Sequence, residues 1–66
     1  MLATKIRELR RERGMGQAEL AEIVGCRRET IGKLEKGLYN PSLRLAMDIA
    51  KVFEKTVEEV FEFRSE

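Results

Sequence analysis

Histidine and tryptophan are absent from this chain of 66 residues, which also holds one cysteine, one proline and two serines. Without histidine, and with Cys26 the sole thiol, the usual zinc ligand clusters cannot be assembled. An internal disulfide is excluded as well. No serine or cysteine nucleophile has an imidazole base to activate it, and no glycine-rich phosphate loop occurs. The expectation is a chain that is not an enzyme and takes no metal, no cofactor and no small-molecule ligand. No apolar run approaches the ~20 residues that a membrane span needs, and the opening residues lack an apolar signal-peptide core. A cytoplasmic protein with a reduced thiol is therefore expected, with Cys26 read as a buried structural thiol in preference to a redox sensor.

Net charge is small as well, at +1, but it is unevenly distributed. Residues 27–44 carry Arg27, Arg28, Lys33, Lys36 and Arg44 against Glu29 and Glu35. Residues 45–66 carry six acidic groups against three basic ones. A basic middle beside an acidic tail makes a local field, and that field governs the choice of partner more than net charge does. A composition of 42% hydrophobic and 38% charged residues suits a helical globular domain. At this length a single core contributes little net stability, so tight helix packing and oligomerisation are the expected supports.

Glycine and proline punctuate the chain at Gly14–Gly16, Gly25 and Gly37–Pro41, with a further break at Thr56. Apolar residues at helical spacing lie between these breaks. The pattern predicts helix 1 over 4–13, with Leu2, Ile6 and Leu9 inward. Helix 2 is predicted over 17–24, burying Leu20, Ala21 and Val24, and helix 3 over 28–36, burying Ile31 and Leu34. Helix 4 follows Ser42 and places Leu43, Ala46, Ile49, Ala50 and Phe53 on one face. Helix 5 opens at Thr56, where Glu59 three residues on completes a capping-box pattern. Strand character is confined to 61–64.

Helices 2 and 3 span about two turns each and are joined by a tight turn around Gly25–Cys26. Two such helices make a helix-turn-helix unit, whose second helix enters the major groove of DNA. Ile31 and Leu34 would anchor that helix, leaving Arg27, Arg28, Glu29, Gly32 and Lys33 outward.

The residues Gln17, Leu20–Ala21, Gly25, Thr30–Ile31, Leu34–Glu35, Gly37 and Asn40–Leu43 together resemble the Cro/phage-repressor-type (lambda-repressor-like) helix-turn-helix family of transcriptional regulators, in its short stand-alone form. The likeness extends from Ile6 to about Phe61. It implies an all-α, five-helix domain over 1–66 that binds double-stranded DNA sequence-specifically, as a repressor, on a pseudo-palindromic operator. It implies base-reading roles for Arg28, Glu29 and Lys33, with Arg27 at the helix entrance. Phosphate contacts are implied for Gln17, Lys36, the Gly37 amide, Tyr39 and Arg44, and a partly buried ion pair for Arg10 and Glu35. Glu29 would either accept a hydrogen bond from cytosine N4 or orient Arg28 or Lys33, and Tyr39 would either touch a phosphate or pack on its loop. Three positions depart from the pattern: Gly16 replaces a capping Ser or Thr, Arg27 replaces a small polar residue, and Gly32 lies within the reading helix at a cost of about 1 kcal/mol relative to Ala.

A homodimer is implied too. Val57, Val60, Phe61 and Phe63, in a tail over 54–66, are the expected seam, with 61–64 pairing with its twin as an antiparallel ribbon. The alternative reading is an antitoxin or restriction-modification controller that uses the same DNA-binding fold together with a protein partner.

Overall fold

Local chemistry sets most of the helix boundaries. Ser42 sits in extended backbone and its Oγ accepts the Leu45 amide at 3.1 Å, satisfying one of the free donors of a helix start. Thr56 and Glu59 cap each other reciprocally, Oγ1 accepting the Glu59 amide at 3.1 Å and Glu59 Oε1 accepting the Thr56 amide at 2.8 Å. The computed structural model describes residues 1–64. In chain order they form β1 (Leu2–Thr4), α1 (Ile6–Glu12), α2 (Gln17–Val24), α3 (Arg28–Glu35), α4 (Leu43–Val52), α5 (Val57–Val60) and β2 (Phe61–Phe63).

The helix ends repeat one device. After α3 the Gly37 amide donates to the Leu34 carbonyl and the Leu38 amide to the Lys33 carbonyl, with Gly37 at φ +72°. This is a Schellman motif, which gives the last carbonyls of a helix their partners. α4 closes in the same way, through Glu54 N–H to Lys51 and Lys55 N–H to Ala50. There the left-handed residue is Glu54, at φ +56°, instead of a glycine.

Ile6, Leu20, Ile31, Leu34, Ile49 and Val60 are fully buried and draw one residue or more from every helix. Leu2, Ala21, Ala46, Ala50, Phe53 and Phe61 complete the core, while Leu9 and Val24 are half-buried against it.

The structure corrects the expected layout at both ends of the chain. Helix 1 begins at Ile6, because the residues before it form a strand. β1 pairs antiparallel with β2 in the register Leu2–Phe63, Ala3–Glu62, Thr4–Phe61. The ladder continues to Met1 and Arg64, which exchange both backbone bonds. The domain is thus mostly helical, with a small two-stranded sheet. Residues expected to pair with a second copy find their partner in the chain's own N-terminus. The core requires this, since the pairing seals Leu2, Val60 and Phe61 inside. Leu43, expected inward, is 73% exposed: it opens the first turn of α4, and no neighbouring element covers that end of the face on which Ala46 and Ala50 are buried.

Candidate nucleic-acid interface

α2 and α3 share the most extensive helix–helix contact of the fold, and a three-residue turn joins them. Gly25 adopts φ +76°, ψ 36°, a left-handed conformation that only glycine takes without strain. Cys26 then donates its amide to the Ala21 carbonyl at 2.9 Å, and Arg27 enters α3 in extended backbone. Burial pushes the Cys26 thiol up from its ordinary value, which disfavours the reactive thiolate.

Ile31 and Leu34 anchor α3 from below. Arg27, Arg28, Glu29, Lys33 and Lys36 all lie exposed. None of these side chains has an ion-pair or hydrogen-bond partner among the described residues. Four unpaired cations and one carboxylate thus share the solvent side of a rigid helix. The orienting role considered for Glu29 is not realised here, since neither Arg28 nor Lys33 is within ion-pair distance of it.

The flanking residues divide. Arg44, 92% exposed, holds a loose pair with Asp48 at 3.8 Å. It borders a shallow hollow of about 290 Å³ shared with Gly25 and Cys26, which puts it beside the turn that leads into α3. Tyr39 is exposed in the loop after α3. The Gly37 amide, expected on a phosphate, is committed to the Leu34 carbonyl, and the Gly37 Cα lies so close to the Leu2 carbonyl oxygen that a Cβ would overlap it. Structure therefore gives Gly37 a packing role: it ties the end of α3 to β1.

Arg10 and Glu35 meet across α1 and α3. Arg10 Nε reaches Glu35 Oε2 at 2.7 Å and Nη2 reaches Oε1 at 3.2 Å, with side-chain exposures of 11% and 6%. Two further partners were not anticipated from sequence. Arg10 Nη1 donates to the Met15 carbonyl at 2.8 Å, and Gln17 Nε2 donates to Glu35 Oε1 at 3.0 Å. One guanidinium and one carboxylate thus join α1, the α1–α2 turn, the start of α2 and the end of α3. Burial pushes the Glu35 carboxyl up, but hydrogen bonds from Arg10 and Gln17, with the charges of Arg10 and Arg7, hold it below its usual range. The Arg10 guanidinium, in turn, is raised by its hydrogen bond to Glu35. A backbone carbonyl such as that of Met15 leaves no residue-type signal, whereas a polar Gln17 beside a carboxylate with spare lone pairs was a usable clue.

Five of the acidic groups gather elsewhere. Glu8, Glu12, Glu58, Glu59 and Glu62 line an open groove of about 780 Å³ between α1 and the α5–β2 segment. Lys5, Lys55 and Arg64 line it too, and no residue of α2, α3 or α4 contributes to it, so this mixed, mainly acidic groove is separate from the cationic helix. Of the expected seam residues, Val60 and Phe61 are in the chain's own core, Val57 is half-buried and Phe63 is 70% exposed. Among the described residues no group of three or more Cys, Asp or Glu side chains is placed to hold a metal ion, and no helix is long and apolar enough to cross a membrane.

Known proteins share this arrangement. The family described as Helix-turn-helix matches residues 6–60. An uncharacterized HTH-type transcriptional regulator of Archaeoglobus fulgidus is 58% identical over 65 residues, covering 98% of this chain and 93% of its own. The cryptic phage CTXphi transcriptional repressor RstR of Vibrio cholerae is 35% identical over 60 residues, covering 91% of this chain and 54% of its own. Among solved structures, a SinR protein/SinI protein complex superposes with a TM-score of 0.73 at 29% identity, over 82% of this chain and 53% of that one. The match across α1–α5, joined to a turn-linked helix pair with an unpaired cationic face, places this chain in the helix-turn-helix family of DNA-binding transcriptional regulators.

Proposed function

We propose that the chain acts by binding and not by catalysis, as a repressor that lays α3 in the major groove of a pseudo-palindromic operator. The observation that carries this reading is the solvent side of α3, where Arg28, Glu29 and Lys33 stand unpaired on a helix held rigidly by Ile31 and Leu34. An arginine can bond guanine O6 and N7 together, and a carboxylate can accept from cytosine N4. Arg27 guards the helix entrance. Gln17, Lys36, Tyr39 and Arg44 would contact phosphates, which fix register without reading sequence. Repression is supported by the relative from Vibrio cholerae, which is a transcriptional repressor.

One recognition helix covers only a few base pairs, so a symmetric homodimer is part of the proposal. Two helices about 34–36 Å apart would then read two half-sites one DNA turn apart. With Val60 and Phe61 internal, apolar surface for the seam remains at Phe63 and Val57. Leu43 and Met47, one turn apart on α4, are exposed as well. Phe63→Asp is the fair probe, whereas Phe61→Asp would disrupt the core. A clean monomer at micromolar concentration by sedimentation, or a dimer indifferent to Phe63→Asp, removes that seam.

Selection of bound sequences from a random DNA pool tests the reading as a whole. Affinity should fall steeply with salt, because each neutralised phosphate releases counterions. Arg28→Ala should relax preference at one position by about 1–3 kcal/mol, while Arg44→Ala should weaken all sequences alike. Salt-independent binding, or unchanged preference after Arg28→Ala, refutes the assignment of α3. A second reading, in which a protein partner such as a toxin controls the same DNA-binding domain, is favoured by the likeness to a chain solved in a protein complex. Co-purification of a stoichiometric partner from the native source would establish it.

A further inference from the structure

Gln17 does not hang free at the start of α2. Its Nε2 donates to Glu35 Oε1 at 3.0 Å, and Glu35 is itself clamped by Arg10 through two bonds. The Gln17 amide also lies beside Gly32: a Cβ built there would stand 3.9 Å from both Nε2 and Oε1. The glycine inside the reading helix thus faces the amide with room left for a methyl group.

A free glutamine amide turns through 180° at little cost, exchanging a donor for an acceptor. A carboxylate only accepts, so Glu35 admits the nitrogen end and repels the oxygen end. Once Nε2 has given one hydrogen to Glu35, its second N–H is left with no partner among the described residues. A phosphate likewise only accepts, so the orientation chosen by Glu35 keeps a donor on the nitrogen that a DNA backbone needs.

We infer that Glu35 is a positioning residue for DNA binding: seated by Arg10, it sets the polarity of Gln17 before a phosphate arrives. The inference rests on the proposed reading of α3 and of Gln17, and it adds how that contact is prepared.

A double-mutant cycle, with the selected operator duplex as probe, tests the role. Exchanging the ion pair as Arg10→Met with Glu35→Leu keeps the space filled with apolar groups, a replacement that buried pairs often tolerate, and it removes the acceptor. Gln17→Ala should lower affinity roughly tenfold in the native background, as expected for a hydrogen bond to a charged group. In the exchanged background the loss should be less than about twofold by the same conversion. Equal losses in both, or none in the native background, overturn the positioning role. If Gln17→Ala is silent while Arg28→Ala still relaxes preference, positioning fails and the reading of α3 stands. If both are silent, that reading fails too.

The free protein supplies a second readout. The Gln17 side-chain amide resonance should shift as Glu35 titrates, below the ordinary carboxylate range, and should lose that titration in the exchanged chain. Should the exchanged chain not fold, the native titration decides alone. A Gln17 resonance that ignores acidification overturns the proposal.

Discussion

Gly37→Ala probes how the end of α3 is held. At φ +72° an alanine pays about 1–2 kcal/mol for left-handed backbone. The added Cβ would also overlap the Leu2 carbonyl oxygen and stand 3.5 Å from its carbon. That neighbour is backbone, not a yielding side-chain tip. β1 is locked to β2 by the pairing of Leu2 with Phe63, and the Leu2 side chain is in the core. Relief therefore requires β1 to shift and to surrender part of the Leu2 burial, worth about 1.5–3 kcal/mol when complete. The two effects together come to roughly 2–5 kcal/mol, taking the full and the partial loss as bounds. In a domain of this size each 1 kcal/mol moves Tm by about 4–8 °C, so a fall of at least about 8 °C is expected. Gly14→Ala is the internal control, since Gly14 has φ +61° but nothing within 4 Å of an added Cβ. It should cost only the backbone part. Thermal or urea unfolding of both variants followed by circular dichroism makes the comparison. Equal destabilisation within about 0.5 kcal/mol, the usual limit of additivity, would refute the role of the Leu2 contact.

Acid should unfold the protein partly through Glu35. Its carboxyl is held below the usual range in the fold, so its contribution is complete above the unfolded value of about 4.3 and is lost as pH falls through the lower folded value. Urea midpoints between pH 6 and pH 3 should therefore drop less in the Arg10→Met, Glu35→Leu chain than in the native one, and parallel curves would contradict this. Glu54→Gly should stabilise by roughly 0.5–1 kcal/mol, since the left-handed penalty of about 1–2 kcal/mol exceeds the entropy cost of glycine of about 0.5–1. The 3.4 Å pair of Glu54 with Arg13 is exposed and contributes little. A lowered Tm would show that this pair matters more than the backbone does. Ser42→Ala should lose about 0.5–2 kcal/mol with the cap of α4, and unchanged urea stability would mean that the Leu45 amide finds another acceptor.

The helices were legible because their determinants are local. Gln17–Val24, the cap at Ser42 and the reciprocal cap of Thr56 with Glu59 depend on residues a few positions apart, and the structure places all three as the pattern anticipates. The cationic side of α3 was legible for the same reason: once Ile31 and Leu34 face inward, helical geometry turns Arg28, Glu29 and Lys33 outward. The likeness to phage-type regulators named Arg10 and Glu35 as a pair, and the structure brings them to 2.7 Å.

The fate of the two ends was decided only by tertiary structure. Thr4 reads as a helix start, because nothing local reveals a strand partner some sixty residues away. Pairing Leu2 with Phe63 satisfies backbone groups that a frayed helix end would leave to water. It also moves Val60 and Phe61 from an expected dimer seam into the core. Leu43 shows the same limit from the other side: its helical spacing fits the buried face, yet no neighbouring element covers it. The Gln17–Glu35–Arg10–Met15 network likewise needed coordinates. Hydrogen-bond partners that differ by 18 and 25 positions meet only after three helices have packed, and a backbone carbonyl carries no mark in the sequence. Periodicity determined which residues turn inward along each helix, and packing determined which inward and outward positions finally meet a neighbour.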